Sequence, residues 1–167
     1  MSQVAYYRSP VGLLKLSASQ KGITAIQVLS DDTCENTAIT NQHLSTCIEQ
    51  LKQYFSGDRK SFSVAIDIED APIFYQDVWK TLLLIPYGKT RSYLDVAKRL
   101  GNPKSVRAVG LANAKNPIPF IVPCHRVIGK NGSLVGYAQG LRMKQHLLHL
   151  ENPDHFNEQG TLFGNVA

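Results

Sequence analysis

With 167 residues, 43% apolar and 19% charged, the chain has the composition of a globular protein of one ordinary domain or two small ones, long enough to bury a core without staples. No apolar run approaches membrane-spanning length and the N-terminus lacks a signal peptide's charged and apolar regions, so no membrane partner is expected and the expected location is cytoplasmic, or nuclear in a nucleated cell. The net charge of +5 is uneven: residues 1–70 hold six Lys/Arg against eight Asp/Glu, residues 71–167 twelve against five. A basic second half beside a slightly acidic first half is the footprint of a polyanion-binding domain with an attached partner, although a solvated basic face has the same signature.

Residues 1–70 read as a small α/β unit. Val4–Tyr7, Leu13–Leu16 and Ile23–Val28 have strand composition, with Gly12 and Lys21-Gly22 as hairpin turns. Residues 30–41 are polar and read as a loop. Leu44, Cys47, Ile48, Leu51 and Phe55 then recur at helical spacing, with Gly57 as the stop. Phe62, Val64, Ile66 and Ile68 alternate with Ser63, Ala65, Asp67 and Glu69, which predicts a further strand. No chemistry stands out in this half.

Glu69-Asp70-Ala71-Pro72 marks a domain boundary, leaving 71–167 as the second domain. Phe74, Val78, Leu82 and Ile85 form a helix stripe closed by Pro86-Tyr87-Gly88. Ser92 caps a helix to about Leu100, with Asp95 at the capping-box position and Gly101 at its end. Asn102 then caps, and Pro103 opens, a second helix to about Ala114. Two short helices joined by a Gly-containing turn make a helix-turn-helix candidate, a pairing that also serves as plain packing. In the second helix Val106, Val109 and Gly110 can face inward, leaving Lys104, Arg107 and Asn113 for other sides. Ala108, Gly110, Ala112 and Ala114 keep it slim, suited to a groove or to another helix.

Ile121-Val122-Pro123-Cys124-His125-Arg126-Val127 is the chemically richest stretch. The thiolate is the working form of a cysteine nucleophile, and a nearby His or Arg lowers the cost of making it. Pro117, Pro119 and Pro123 stiffen the approach. By itself a cysteine among apolar residues is equally a small buried hydrophobe. Cys34, Cys47 and Cys124 are odd in number and lack C-x-x-C spacing, so neither a disulfide framework nor a metal site is expected; His43 and Cys47 share a helix face, but two ligands do not make a structural zinc site. Beyond the cysteine, Arg126–Gly129 reads as a strand and Lys130–Ser133 as an Asn-Gly hairpin returning through Leu134-Val135. Leu141, Leu147, Leu148 and Leu150 predict a last helix ending at Glu151-Asn152-Pro153.

Val106-Arg107-Ala108-Val109-Gly110, Asn116-Pro117, Pro123-Cys124-His125-Arg126-Val127, Tyr137 and Leu147–Glu151 resemble the O6-alkylguanine-DNA alkyltransferases, also called methylated-DNA–protein-cysteine methyltransferases. The resemblance is dense from about Phe74 to Glu151 and looser before it. It implies an α/β ribonuclease-H-like N-terminal domain followed by a mainly α, winged helix-turn-helix-like domain. It further implies a direct-reversal repair enzyme that moves an alkyl group from O6-alkylguanine, and from O4-alkylthymine, in double-stranded DNA to Cys124. That transfer is irreversible, needs no cofactor, and is made once by each molecule, a monomer when free.

Residue by residue, the resemblance makes His125 the base that takes the thiol proton through a water, and Glu151 its orienting carboxylate. Asn116 becomes the hinge, and Tyr93 the phenol that bonds the flipped base. Arg107 becomes the finger entering the base stack from a helix in the minor groove. Lys104, Ala108, Gly110, Ala112 and Asn113 share the DNA surface, while Pro119, Val127, Tyr137 and Ala138 line the alkylguanine pocket. Many relatives have Ser-Gly-Gly after the tyrosine; here Ala138-Gln139-Gly140 removes a hydroxyl and places a long side chain at the pocket mouth. A non-catalytic lesion binder, a regulator or a Cys-His hydrolase are the rival readings, and Cys124 counts against the first.

Overall fold

The computed structural model describes residues 2–30, 38–132 and 136–156. These fall into two compact units: residues up to Glu69 together with Pro117–Ile121, and Asp70–Asn116 together with the residues from Val122 onward. The proline-rich segment 117–121 thus groups with the first unit, on the other side of the boundary from the rest of the second half.

In the first unit β1 (Gln3–Ser9), β2 (Gly12–Ala18) and β3 (Ile23–Leu29) form an antiparallel meander in that order. Gly12, with φ 121°, supplies the turn conformation that side chains disfavour. Helix α1 (Gln42–Phe55) packs on the meander through Leu44, Cys47, Ile48, Leu51 and Tyr54, all buried. Its N-cap is Asn41, whose side chain accepts from the N–H groups of His43 and Leu44. Gly57 (φ 84°) follows its end.

The strand expected over Phe62–Ile68 is not a ladder. Ile23 and Ile66 make a single parallel bridge, with Ile23 N–H donating to the Ala65 carbonyl at 2.9 Å and Asp67 N–H to the Ile23 carbonyl at 2.8 Å. Gln50 of α1 occupies the hydrogen-bonding groups a neighbouring strand would need: its amide accepts from Ser63 N–H at 2.9 Å and donates to Ser63 Oγ at 2.7 Å. The alternation of the sequence survives only as alternating exposure. The 117–121 segment adds an edge contact, Ile26 N–H to the Pro117 carbonyl at 2.9 Å, and buries Phe120 against Phe55 at 5.5 Å between ring centroids. Phe120 holds φ 71°, a left-handed conformation uncommon for an aromatic residue.

The second unit is mainly helical. Helix α2 (Ile73–Leu82) buries Val78, Trp79 and Leu82, while Phe74 is only half-buried. Strand β4 (Arg91–Ser92) leads directly into α3 (Tyr93–Arg99). The capping box forms: Ser92 Oγ accepts from Asp95 N–H at 3.0 Å and the Asp95 carboxylate accepts from Ser92 N–H at 2.9 Å. Gly101 turns the chain with φ 80°.

The second helix of the pair begins later than the sequence suggests. Pro103–Ser105 is a 3-10 turn and α4 runs Val106–Ala114. Asn102 does not cap through its side chain; its carbonyl instead takes Ser105 N–H at 3.0 Å and Ser105 Oγ at 2.7 Å. Val109 is fully buried, Val106 and Gly110 half-buried. The Trp79 indole donates to the Ala112 carbonyl at 2.8 Å and so ties α2 to α4.

Strand β5 (Val127–Ile128) pairs in parallel with β4, Arg91 opposite Val127 and Ser92 opposite Ile128. The Asn-Gly hairpin expected after it is a 3-10 turn, Lys130–Gly132, closed by Gly132 N–H on the Gly129 carbonyl. The return through Leu134-Val135 lies outside the described residues. Helix α5 (Leu141–Glu151) buries Lys144, Leu147, Leu148 and Glu151 and leaves Leu141 exposed. Phe156 closes a small core with Ile128 and Leu148. No helix among the described residues is long and apolar enough to cross a membrane.

Candidate active site

Cys124 opens a 3-10 turn, Cys124–Arg126, directly after Pro123 and is buried. Two asparagines hold its backbone. Asn116 Nδ2 donates to the Val122 carbonyl at 2.9 Å, and Asn113 Nδ2 reaches the Cys124 carbonyl at 3.4 Å. Burial pushes the thiol pKa up, while the Asn116 and Tyr137 side chains and the Lys144 charge oppose that rise. The cysteine therefore rests as a thiol at neutral pH and needs a base to act as a nucleophile.

The next residue in the chain carries an imidazole. His125 is fully buried and its Nε2 lies 2.6 Å from Glu151 Oε2. Burial works to raise the Glu151 pKa, but His125 and Arg126 together hold it well below the usual carboxylate range. Glu151 is therefore an acceptor, so the imidazole carries its proton on Nε2 and presents Nδ1 as a lone pair. Nδ1 is sealed from solvent and has no hydrogen-bond partner among the described residues. Burial also holds the imidazole pKa below its ordinary value, against the pull of Glu151.

Glu151 is fully engaged. Arg126 Nε donates to Oε1 at 2.8 Å and Arg126 Nη2 to Oε2 at 3.0 Å, while Gly88 N–H reaches Oε1 at 3.2 Å. Gly88 has φ 75°, and a Cβ there would lie 3.3 Å from the Glu151 carbonyl oxygen, so the position favours glycine twice over. Arg126 Nη1 donates to the Ile85 carbonyl at 2.7 Å. At β5, Lys144 Nζ donates to the Val127 carbonyl at 2.6 Å and reaches the Gly136 carbonyl at 3.4 Å. Burial brings the Lys144 ammonium down to about 8.

The two tyrosines converge on the thiol. Burial raises the pKa of both phenols, and Cys124 adds to the rise at each. The Tyr93 ring lies against Gly110, and its hydroxyl meets the Asn113 side chain and the region of Gly136. The Tyr137 hydroxyl is closed to solvent and has no hydrogen-bond partner among the described residues, while Cys124 lies near enough to raise its pKa. Ala138 is exposed. Val127, expected in the pocket lining, is buried with its N–H on the Cys124 carbonyl and its own carbonyl taken by Lys144, so both of its backbone groups are engaged. Pro119 is buried within the first unit's 117–121 segment.

Of the residues expected on the DNA surface, Lys104, Arg107 and Ala108 are exposed, joined by Leu111 at 53%. Gly110 is half-buried beneath Tyr93. Ala112 and Asn113 are corrections: both are buried, because Val109, Ala112 and Asn113 form the i, i+3, i+4 stripe that α4 turns inward. Asn113 serves the cysteine turn instead of a groove. Sequence reasoning gave Arg126 only a general part in easing thiolate formation, missed its grip on Glu151, and left Lys144 without a role. The available signal for Lys144 was its place at i, i+3, i+4, i+7 with Leu147, Leu148 and Glu151, a cation on the buried stripe. Cys47, whose thiol burial pushes up to about 12, is inert, and Cys34 lies outside the described residues. Among the described residues no group of three His, Cys, Asp or Glu is placed to hold a metal.

A buried cysteine joined to a His–Glu–Arg cluster, in a unit that also carries a two-helix motif with an exposed basic face, has the form of a thiol-nucleophile protein that handles a polyanion. Comparison with known proteins agrees in kind and goes further. Residues 4–68 match the ribonuclease-like domain, and residues 73–153 the DNA binding domain, of 6-O-methylguanine DNA methyltransferase. A methylated-DNA–protein-cysteine methyltransferase of Methanosarcina acetivorans is 43% identical over 151 residues, 88% of this chain and 96% of that one. The constitutive enzyme of that name from Bacillus subtilis is 42% identical, covering 86% and 91%. The crystal structure of Mycobacterium tuberculosis O6-methylguanine methyltransferase superposes with TM-score 0.79 at 41% identity, covering 92% and 94%. The chain belongs to the 6-O-methylguanine DNA methyltransferase family, with a ribonuclease-like α/β domain followed by a mainly helical DNA-binding domain.

Proposed function

We propose that this protein repairs DNA by taking the alkyl group of O6-alkylguanine onto Cys124, once per molecule. The observation that carries the reading is the buried Cys124 beside a His125 whose Nε2 is pinned to Glu151 at 2.6 Å, leaving Nδ1 as acceptor. His125 takes the thiol proton through an intervening water. The sulfur then attacks the alkyl carbon, the carbon–O6 bond breaks, and its electron pair leaves on guanine, where the Tyr93 phenol donates a hydrogen bond. The product is a thioether. No residue of the site is equipped to cleave it, so the chemistry is single-turnover. Tyr137 and Ala138 border the alkyl group, and Asn116 and Asn113 keep the cysteine turn in place.

Alkylated guanine inside a duplex is out of reach of a buried thiol, so the base must be flipped. Lys104, Arg107 and Ala108 form the surface that meets the minor groove, with Arg107 filling the space the base leaves. The crystal structure of the M. tuberculosis relative in complex with DNA, at 41% identity and TM-score 0.78, supports DNA as the partner. The protein acts as a monomer when free.

The test is intact and peptide mass spectrometry after mixing the protein with a duplex carrying one O6-methylguanine. The expected result is a gain of one methyl on the peptide containing Cys124, saturating at one per molecule. Lesion binding without any mass gain would overturn the transfer reading.

A further inference from the structure

We propose that Arg126 is a positioning residue that keeps His125 uncharged and proton-accepting by holding both oxygens of Glu151. The inference rests on His125 being the base of the reading above. A carboxylate hydrogen-bonded to an imidazole ordinarily favours the imidazolium, and an imidazolium cannot accept the thiol proton. A buried His–Glu pair alone would therefore protonate near neutral pH and lose its function.

In this site the charge of Glu151 already has a partner. Arg126 grips it through two parallel N–H donors at 2.8 and 3.0 Å, and the third guanidinium nitrogen is anchored on the Ile85 carbonyl at 2.7 Å. The guanidinium carbon sits 5.8 Å from the centroid of the Tyr87 ring. With Arg126 and Glu151 paired, a proton on His125 would add a net charge to a closed space, which is unfavourable. The groups facing the imidazole all bear on this balance. Glu151 from α5 favours the proton, whereas Lys144 from α5 and Arg126 from the nucleophile's own turn oppose it, in the same direction as burial. Tyr87, after α2, stays a neutral phenol, pushed up by burial and by Glu151. Cys124 rests as a thiol. A planar guanidinium suits the role because a single ammonium cannot bind both carboxylate oxygens in parallel.

The experiment follows the His125 imidazole by nitrogen-15 NMR across pH in the unalkylated protein, in parallel with single-turnover methyl transfer from lesion duplex. In the native chain His125 stays neutral, with its proton on Nε2, through the neutral range and titrates below the ordinary histidine value. In Arg126→Met the titration moves upward and the acid limb of the rate profile moves with it. The rate at pH 7 then falls about tenfold for each unit the titration moves above that pH, recovering at higher pH. Arg126→Lys lies between the two.

The proposal is overturned if His125 of a folded Arg126→Met titrates where the native one does, or if the rate falls by one factor at every pH, as a merely structural clamp would give. Should the Met variant not fold, the native titration decides, since a His125 carrying both protons at pH 7 sinks the idea. A native chain whose His125 behaves as expected but gains no methyl would instead sink the transfer reading and leave the tuning intact.

Discussion

The cysteine cluster and the outer face of α4 belong to the same unit and obey different electrostatics. Around Cys124, the side chains of His125, Arg126, Lys144 and Glu151 are all buried, and every charge has a short-range partner. On α4 and the turn before it, Lys104, Arg107 and Ala108 stand in solvent. A charge in the first region has a large effect on pKa values and stability, because water cannot answer for a lost partner. A charge in the second is screened and contributes little until a polyanion arrives. On the proposed function, the first region changes the reactivity of a thiol and the second meets phosphates and base edges.

Substitutions should separate the regions in that order. The largest effect on folding is expected from Glu151→Leu, which strands Arg126 without its carboxylate. A loss of about 3–5 kcal/mol in unfolding free energy is expected, measured by urea titration. Methyl transfer should be lost as well. A cost under about 1 kcal/mol, the value of an exposed pair, would contradict the description of this cluster as closed.

Lys144 tests the same region through pH. Its ammonium is held at about 8 in the folded protein against an ordinary value of 10.5. Below about 8 the lysine is charged in both folded and unfolded states, and its burial cost is fully present. Between about 8 and 10.5 the unfolded chain holds the extra proton, so this group makes stability rise with pH, by up to about 3 kcal/mol. Lys144→Met should flatten that rise when unfolding is measured at pH 7, 8, 9 and 10. An unchanged slope in the variant would show that the lysine titrates normally.

How much of this was legible in the sequence depended on range. The Ser92–Asp95 capping box, the meander of the first unit and the α1 stripe as far as Leu51 appear as read, whereas Tyr54 is buried where Phe55 was expected. Boundaries set by distant partners do not appear as read. The β4–β5 pair joins two-residue strands that lie 36 positions apart, with nothing local to announce it. Phe62–Glu69 read as strand from its alternation, whereas the acceptor that takes Ser63 N–H, Gln50, comes from a helix. Cys124, His125 and Glu151 were recognisable from their motifs. The Arg126–Glu151 grip and the Lys144 anchor were not, because each depends on how α5 is seated. Asn113 is left to the other sides of the helix once Val106, Val109 and Gly110 are read as the inward face, whereas helical phase with Val109 and Ala112 puts it inside.

The division between a buried reacting centre and an exposed binding face is tested most directly by measuring lesion-duplex affinity and single-turnover transfer side by side for Cys124→Ser and Arg107→Ala. For Cys124→Ser the expected result is no transfer with affinity within about twofold of native, since truncating the nucleophile removes no contact with phosphate. Arg107→Ala should leave unfolding free energy within about 0.5 kcal/mol, weaken binding, and reduce the salt dependence of affinity by about one unit of slope if it meets phosphate. Transfer should fall with binding, and the part of the loss that persists at saturating protein reports the flipped base, whose vacated space Arg107 fills. If Cys124→Ser loses affinity together with reaction, or Arg107→Ala lowers unfolding free energy as loss of a buried partner would, the two regions are not separate devices.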